Sequence, residues 1–481
     1  MAPSLPPNPS LTQLKHQAKD IHKAHKARDA SCCDVLKKLK RFADASDADI
    51  LAAEVPLKQV QFALAMHYGF ASWAELKSHI GSAAPEPSGG VQREGHKVWI
   101  EGVPDGRFDI HWDMLTRAME TLLTYRGENV TRSKLLAYSG DAFNLCHGSH
   151  WQGVAYLCIP TDPVGNLARA YGYEYECVHD GWNFQVMKPL QRPGRLELTR
   201  KTLERVYAEI DAGRPVLVGG TEDHCGSWTL AVGYDRKSPS LCHIGENGQH
   251  LPPYRWSPVR GVAPGSIDEH FGHWNGRYRG TIRENFVGCW QDNPTYLIKA
   301  KTSAAATLRD RDLRALQLAV EIHAASKHSI GFWGPVDYFF GAEAYRQWAR
   351  ELGELDYPAD LEKPRPEGAY DWYEMGNMDM QVDQIVVGRT AAAEFCQAAA
   401  SRLPKGREDM LAAAALYRQE VDIAKSAFAP FIPRFDGNDE PREAWLSDES
   451  KREAGVKAIR QMLEKDRAAV AAIQKALAAM G

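Results

Sequence analysis

Apolar residues recur at two different spacings along the chain. In residues 11–80, and again beyond residue 304, they recur every three or four positions, which is the period of amphipathic helices. In residues 97–300 the apolar runs are short and rich in β-branched and aromatic residues, which favours strands. The pattern therefore predicts an α+β protein in which a mixed or antiparallel sheet region lies between two helical regions.

The individual elements follow from the same periodicities. In the middle region we expect helices over residues 114–126 and 203–212, strands over 97–102 (an edge strand), 216–218, 228–232, 240–244 and 296–299, and mixed strands within 153–180. Beyond residue 304 we expect helices over 308–325, 341–353, 374–402, 407–427 and 448–479.

Three domains are predicted from these regions and from one linker. Residues 81–95, GSAAPEPSGGVQREG, combine Pro, Gly, Ser and charge without periodicity, which is typical of a flexible connection. We therefore divide the chain into a helical module (1–82), a linker (83–96), an α+β domain (97–302) and a C-terminal helical domain (303–481).

Composition indicates an ordinary globular protein. The chain has 481 residues, 44% of them hydrophobic and 25% charged, with a formal net charge of -4. This charge provides no overall attraction to nucleic acid or to anionic membranes. Lysines crowd the first helices without interleaved aromatic residues, so we interpret them as a solvated face and predict no nucleic-acid partner. Without a membrane-spanning run or a signal pattern, and with nine scattered cysteines, the expectation is a cytoplasmic protein with reduced thiols.

The most informative stretch is residues 213–235, GRPVLVGGTEDHCGSWTLAVGYD. It predicts two buried strands, 216–218 and 228–232, joined by a polar loop. That loop carries a carboxylate, an imidazole and a thiol close together, at Glu222, His224 and Cys225. Because functional groups concentrate on loops held by rigid strands, we favour a site here over a plain hairpin with a polar tip.

Several segments of the middle region resemble a known fold. These are MLTRAMETLLTYRGENVT, SGDAF, GRPVLVG and SWTLAVGYD. Together they resemble the papain-like cysteine peptidases, and more closely the N-terminal domain of the butirosin-biosynthesis H acyltransferase and the double-glycine leader peptidases of bacteriocin exporters. The segment GAEAYRQWA (341–349) is similar to helices that follow such a domain in an uncharacterised bacterial family. The resemblance covers residues 97–480 and implies chemistry on an amide or ester.

The catalytic dyad of that fold is not matched. Papain-like enzymes place a Cys thiolate at the start of the first helix and a His base on the central strand. This chain offers Trp112, Asp113 or Met114 at the first position, and Ser227 with Trp228 at the second. The usual thiol mechanism is therefore not expected.

A rewired site is the leading hypothesis. It would bring His111 and Asp113 toward Glu222, His224 and Cys225, with His224 as a general base that activates water or a substrate hydroxyl. Adjacent strand residues point to opposite faces, so His224 and Cys225 would share a pocket only with a bend or bulge. The expected substrate contacts are Trp112, His147, His150, Trp228 and Trp274.

The resulting prediction is a small-molecule amide or ester hydrolase or acyltransferase that needs no cofactor and acts on a small-molecule or peptide substrate. One alternative is a catalytically inactive papain-like binding protein. Another is a metal-dependent hydrolase, for which His111, Asp113, His147 and His150 are the available ligands. No membrane partner is expected. The final helix, 448–479, has near-heptad apolar spacing, which suits packing along the helical bundle or onto a second copy of the chain as a homodimer through the C-terminal helices.

Overall fold

A computed structural model describes most of the chain and divides it into two compact units. The described residues are 11–43, 45–68, 72–73, 76, 90–104, 114–149, 160–179, 192–219, 228–243, 255–258, 295–301, 305–330, 336–357, 374–432 and 440–480. The first unit comprises residues 1–88 with 123–129, and the second comprises residues 89–122 with 130–481. The predicted division of the second unit at residue 302 stays a prediction.

The first unit is helical, as its apolar spacing predicts. Its helices are α1 (Leu11–Lys26), α2 (Cys33–Leu36), α3 (Asp47–Ala52) and α4 (Leu57–His67). The inward side chains of these helices form one small core that includes Leu36, Ile50, Val60 and Leu64. The buried His25 ring ties α1 to this core, since its Nε2 lies 2.9 Å from the Ile50 carbonyl oxygen.

The second unit contains an eight-stranded sheet. Its strands are β1 (Val91–Glu94), β2 (Lys97–Ile100), β4 (Tyr173–His179), β5 (Val216–Gly219), β6 (Trp228–Asp235), β7 (Ser240–His243), β8 (Arg255–Pro258) and β9 (Thr295–Lys301). The order is β1-β2-β6-β5-β9-β4, with β7 paired to β6 and β8 paired to β7. Every pairing in the described sheet is antiparallel. The predicted antiparallel α+β region is confirmed at this level, and a papain-like relation stays a prediction.

Gly233 allows three strands to meet closely. A Cβ atom at this position would lie 2.7 Å from the Val98 carbonyl oxygen, 2.8 Å from the Cys242 Cβ and 2.8 Å from the Trp99 Cβ. Because β2 and β7 both pack against this residue, only glycine fits without movement of the backbone. The glycine of the GYD sequence is therefore required by packing.

Helices before and beside the sheet complete this region. They are α5 (Met114–Tyr125), whose last three residues belong to the first unit, and α6 (Arg132–Ser139), α7 (Pro163–Tyr171) and α8 (Arg192–Asp211). Helix α8 packs on the sheet through ion pairs such as Glu209 Oε1 to Lys299 Nζ, at 3.0 Å. The predicted ending of α5 is confirmed, since Gly127 follows it with a φ of 77°.

The remaining chain is mainly helical, as predicted. Its helices are α9 (Leu308–Ala324), α10 (Gly341–Glu354), α11 (Glu374–Asp383), α12 (Thr390–Arg402), α13 (Arg407–Ala427), α14 (Glu440–Ser447) and α15 (Glu449–Met480). A π-helical turn, Gln384–Arg389, joins α11 to α12. A small antiparallel sheet is formed by β3 (Cys146–Gly148), β10 (Lys327–Ile330) and β11 (Val336–Phe340). Helix α10 follows β11 directly in the chain.

Several elements differ from the sequence prediction. Strand β1 lies within the predicted linker, and it makes β2 an inner strand instead of an edge strand. Residues 163–171 form helix α7 where mixed strands were expected, because Asp162 caps the helix by accepting a bond from the Gly165 amide at 2.8 Å. Strands β3, β8, β10 and β11 and the π-helical turn were not predicted. Strands β10 and β11 pair with each other across a short connection, and β11 also pairs with the distant strand β3.

Candidate functional site

The predicted strand–loop–strand segment is present as an antiparallel hairpin. Gly219, the last residue of β5, is paired with Trp228, the first residue of β6, and Val218 is paired with Thr229. Strand β5 also pairs with β9, so the hairpin is held from the other side. The ends of the intervening segment, residues 220–227, are thus adjacent and fixed by paired strands. Glu222, His224 and Cys225 belong to that segment and lie outside the described residues.

Trp228 is the predicted substrate contact that the structure describes best. Its side chain is fully buried, and its ring lies 5.9 Å from the Tyr296 ring. The indole Nε1 has no hydrogen-bond partner in the described part of the chain. Because a buried N–H group is costly to leave unpaired, this donor is available to a further acceptor at the start of β6.

Other predicted site residues lie outside the described part of the chain. These are His111, Trp112, Asp113, His150 and Trp274. Helix α5 begins at Met114, directly after Asp113 in the chain. The predicted proximity of His111 and Asp113 to Glu222 and His224 therefore stays a prediction.

His147 lies on β3 and is fully buried. Its Nε2 is 3.0 Å from the Glu351 carboxylate, and its Nδ1 contacts the Gln381 side-chain amide. Glu351 is held in turn by the Gln347 amide at 2.7 Å. The imidazole is thus held between a carboxylate and a side-chain amide. The role of His147 as a substrate contact stays a prediction.

The structure describes several thiols as buried and weakly acidic. Burial raises the pKa of Cys242 and of Cys396 to about 12. Burial, with the neighbouring Cys33 thiol, raises the pKa of Cys32 to about 11. Because the thiolate is the nucleophile, these three cysteines are unsuited to nucleophilic chemistry at neutral pH.

A buried ionic cluster between the helices was missed by the sequence reasoning. Arg389, the last residue of the π-helical turn, is fully buried. Its Nε lies 3.3 Å from Glu420 Oε1, and its Nη2 lies 3.0 Å from the Tyr345 hydroxyl and 3.2 Å from Asp466 Oδ1. His323 Nδ1 contacts the other Asp466 oxygen at 2.6 Å. We call these five residues the Arg389 cluster.

Arg389 also binds the backbone of the segment that follows helix α6. Its Nη1 donates to the carbonyl oxygens of Ala142 and Asn144 at 3.0 and 3.3 Å. Gly388 allows this approach, because a Cβ there would lie only 3.2 Å from the Ala142 carbonyl oxygen. One guanidinium therefore connects the α12, α13 and α15 helices to the turn before β3.

Electrostatics within the Arg389 cluster favour a neutral glutamic acid. Burial raises the pKa of Glu420 to about 8, although Arg389 opposes the shift. Glu420 Oε2 and the Tyr417 hydroxyl are both buried without a partner in the described part of the chain. A π-helical turn beside such groups is a feature often found at functional sites, but it also serves as a packing device.

A sequence signal for this cluster exists. Glu420 occupies an inward position of α13 between Tyr417 and Ala424, and Asp466 occupies one of α15 between Met462 and Ala469. A carboxylate on the apolar face of a helix predicts a buried cation partner. The identity of that partner does not follow from the spacing.

Comparisons with known proteins add no assignment. The chain matches no protein-family model and no curated protein. Within the described ranges, no group of three or more His, Cys, Asp or Glu side chains is arranged to hold a metal ion. Within the same ranges, every helix is too short or too polar to cross a membrane.

Proposed function

We propose that the β5–β6 hairpin carries the active site of an amide or ester hydrolase or acyltransferase on a papain-like scaffold. The observation that supports this most is the pairing of Gly219 with Trp228. In an antiparallel pair the two Cα atoms are about 4.5–5.5 Å apart. The residues that flank the polar segment are therefore adjacent and held by paired strands. Catalytic residues are often found on loops that a rigid sheet holds in this way.

Trp228 supplies a second argument. Its buried indole N–H is unpaired among the described residues and lies at the start of β6, next in the chain to the polar segment. A fixed donor of this kind can bind the carbonyl oxygen of a substrate, on which negative charge develops during attack on an amide or ester. We assign Trp228 this role.

In the proposed reaction His224 is the general base. It removes a proton from water, or from an acceptor hydroxyl, as the oxygen attacks the substrate carbonyl carbon. The protonated imidazole then returns that proton to the leaving amine or alkoxide as its bond to the carbonyl carbon breaks. Asp113 orients the ring, and Glu222 and His111 contribute to the charge of the pocket. Trp112, His150 and Trp274 are assigned to substrate contacts.

Three of the described thiols are unsuited to be the attacking group. Cys32, Cys242 and Cys396 have raised pKa values, so they remain protonated at neutral pH. Water or a hydroxyl nucleophile is therefore proposed, with Cys225 as the thiol to be tested by labelling.

The test is turnover of a panel of p-nitrophenyl esters and p-nitroanilides that differ in acyl length and charge. Wild-type protein is expected to hydrolyse at least one of them, and His224→Ala is expected to lower kcat by ~100-fold or more, the usual loss for a general base. His96→Ala is the matched control, because His96 is exposed in the turn between β1 and β2. Its rate should equal that of the wild type.

Three results would change the proposal. An unchanged rate in His224→Ala removes His224 from the mechanism. Activity that a chelator abolishes and zinc restores favours the metal-dependent hydrolase. Absence of turnover with the whole panel, together with saturable binding of one of its members, favours the inactive binding protein.

A further inference from the structure

A buried carboxylate, Asp312 on α9, joins three helices. Its side chain is fully buried. Arg402, the last residue of α12, donates to it twice, from Nε to Oδ2 at 2.6 Å and from Nη2 to Oδ1 at 3.0 Å. The Tyr138 hydroxyl of α6 donates to Oδ1 at 3.0 Å. Asp312 therefore fixes α6 and the end of α12 against α9.

Lys134 brings a second cation to this carboxylate. It lies four residues before Tyr138 on α6, so the two side chains share one face of the helix. Burial lowers the pKa of the Lys134 ammonium, and the charges of Arg402 and Arg311 lower it further. Asp312 acts in the opposite direction. Lys134 itself forms no hydrogen bond or ion pair with any described residue, so its charge lies near two other cations without a partner of its own.

Arg311 is the third cation. Its Nε donates to the Ala306 carbonyl oxygen at 2.8 Å, and its guanidinium carbon lies 4.7 Å from the centre of the Tyr171 ring. These contacts orient the guanidinium but leave both Nη atoms without a partner in the described part of the chain. We call Lys134, Arg311 and Arg402 the cationic group.

We propose that the cationic group binds a phosphate dianion, either free or as the phosphomonoester of a small molecule. Three cations beside one carboxylate leave two positive charges in excess. A phosphomonoester carries about -1.5 to -2 charges at neutral pH, which matches this excess, whereas a single carboxylate ligand would offset only half of it. The site involves no residue of the β5–β6 hairpin, so its test is independent of the proposed hydrolase or acyltransferase.

The free donors suit a phosphate group. The Lys134 ammonium is a compact point charge, and the unpaired Nη atoms of Arg311 present several N–H groups in a fixed plane. Both side chains are half-buried, so a ligand can reach them from solvent while their charges are screened less than those of fully exposed residues. Arg402 stays bound to Asp312 and adds its positive charge to the site.

Protection of Lys134 from acetylation tests the site in unmodified protein. The reagent is sulfosuccinimidyl acetate, and mass spectrometry of peptides gives the rate at each lysine. Acetylation requires the neutral amine, and a bound anion favours the charged ammonium, so saturating phosphate should slow the reaction of Lys134 by ~5-fold or more. Phosphate replaces chloride at constant ionic strength, which keeps general screening unchanged. The rate at Lys457, an exposed residue of α15, should not change.

Phenyl phosphate distinguishes the two sources of the ligand. Protection by phenyl phosphate and by inorganic phosphate assigns the site to phosphomonoesters, whereas protection by inorganic phosphate alone assigns it to the free ion. Equal protection by acetate contradicts the match to a dianion. Protection of Lys134 and Lys457 alike, or of neither, overturns the proposal.

Neutral replacements provide the second test. Lys134→Gln and Arg311→Gln should each weaken phosphate binding by roughly tenfold or more, since each removes a charged donor, as measured by ³¹P NMR titration at constant ionic strength. Lys457→Gln is the matched control and should bind like the wild type. Circular dichroism shows that each variant is folded. Folded variants at Lys134 and Arg311 that bind phosphate as tightly as the wild type overturn the proposed site.

Discussion

The sheet region and the helical region each contain a buried glutamate, and the pKa values of the two are shifted in opposite directions. Glu209, on helix α8 against the sheet, and Glu420, on α13 within the helices, are 6% and 0% exposed. The pKa of Glu209 is lowered, whereas that of Glu420 is raised to about 8. Two glutamates with little exposed surface therefore have pKa values shifted in opposite directions.

The surroundings of Glu209 explain its ionisation. Burial alone would raise the pKa of Glu209, but hydrogen bonds from Arg214 and Lys299 lower it by more. Arg214 Nε lies 2.5 Å and Lys299 Nζ lies 3.0 Å from its two carboxylate oxygens. Both cations reach solvent, so each keeps part of its hydration.

Glu420 has fewer cationic neighbours than Glu209, and its side chain is not exposed to solvent. Its one guanidinium, Arg389, is shared with Asp466 and is itself fully buried. Burial raises the pKa of Glu420 most, and the negative charge of Asp466 adds to the increase. A buried carboxylate needs a cation of its own to stay ionised, and of these two glutamates only Glu209 has one.

The largest expected effect comes from removing the shared cation. Arg389→Ala should lower the free energy of unfolding by ~3–5 kcal/mol, because it leaves buried carboxyl groups and two backbone carbonyls without their donor. Urea unfolding of the purified variant measures the loss.

Lys299→Ala is the control from the sheet region, since Glu209 keeps Arg214 there. It should cost ~1 kcal/mol or less. Equal losses in the two variants would contradict the difference drawn between the regions.

The pH dependence of stability should separate the two glutamates by sign. The folded-state pKa of Glu420 lies above its ordinary value of 4.5, so the folded protein retains a proton there that the unfolded chain releases. The contribution of Glu420 to stability therefore falls as pH rises from 4.5 to about 8 and is constant above it. In Glu420→Gln this decline should disappear in urea unfolding measured across that range.

Glu209 should act in the opposite direction. Its folded-state pKa is lowered, so its contribution is present above its ordinary pKa of 4.5 and is lost as pH falls through the folded value. Glu209→Gln should thus be less stable than the wild type at neutral pH and should lose less on acidification. Parallel pH profiles for the two variants would show that the assigned protonation states are incorrect.

The smallest expected effect comes from adding a methyl group at Gly233, where the sheet leaves no space for a side chain. Gly233→Ala should lower the free energy of unfolding by ~1–3 kcal/mol, because the added methyl group meets the Val98 carbonyl oxygen and two Cβ atoms at less than 3.0 Å. Gly90→Ala, where the nearest atom is 3.9 Å away, should be nearly neutral. Thermal unfolding of both variants measures the two changes in Tm. Equal changes would indicate a general cost of replacing glycine and would contradict a packing requirement at Gly233.

Helix and strand existence could be predicted well from the chain alone. Helix α13 has the predicted bounds of 407–427, and strands β5 and β6 begin where their apolar runs begin. Periodicity suffices for such elements because each buries one continuous face. Helix α7 also carried readable signals, an Asp-Pro start and a Gly172 end, which the alternating apolar runs around it obscured.

The candidate site was predictable only in part. The hairpin and the burial of Trp228 followed from short apolar runs on both sides of a polar insert. The functional assignments of His111, Asp113, Glu222, His224 and Cys225 stay predictions, since all five lie outside the described residues. A resemblance in fold does not specify a reaction, so these roles await the turnover test.

The sequence by itself determined most of the helices, the two strands of the central hairpin and the loop that concentrates reactive groups, because these depend on neighbours within a few residues. Only the tertiary structure decided that β1 joins the sheet, that His147 contacts the Glu351 carboxylate, and that Arg389 forms ion pairs with Glu420 and Asp466. These contacts join residues far apart in the chain. Local periodicity indicates that a side chain points inward, but the partner it finds there depends on how distant elements pack.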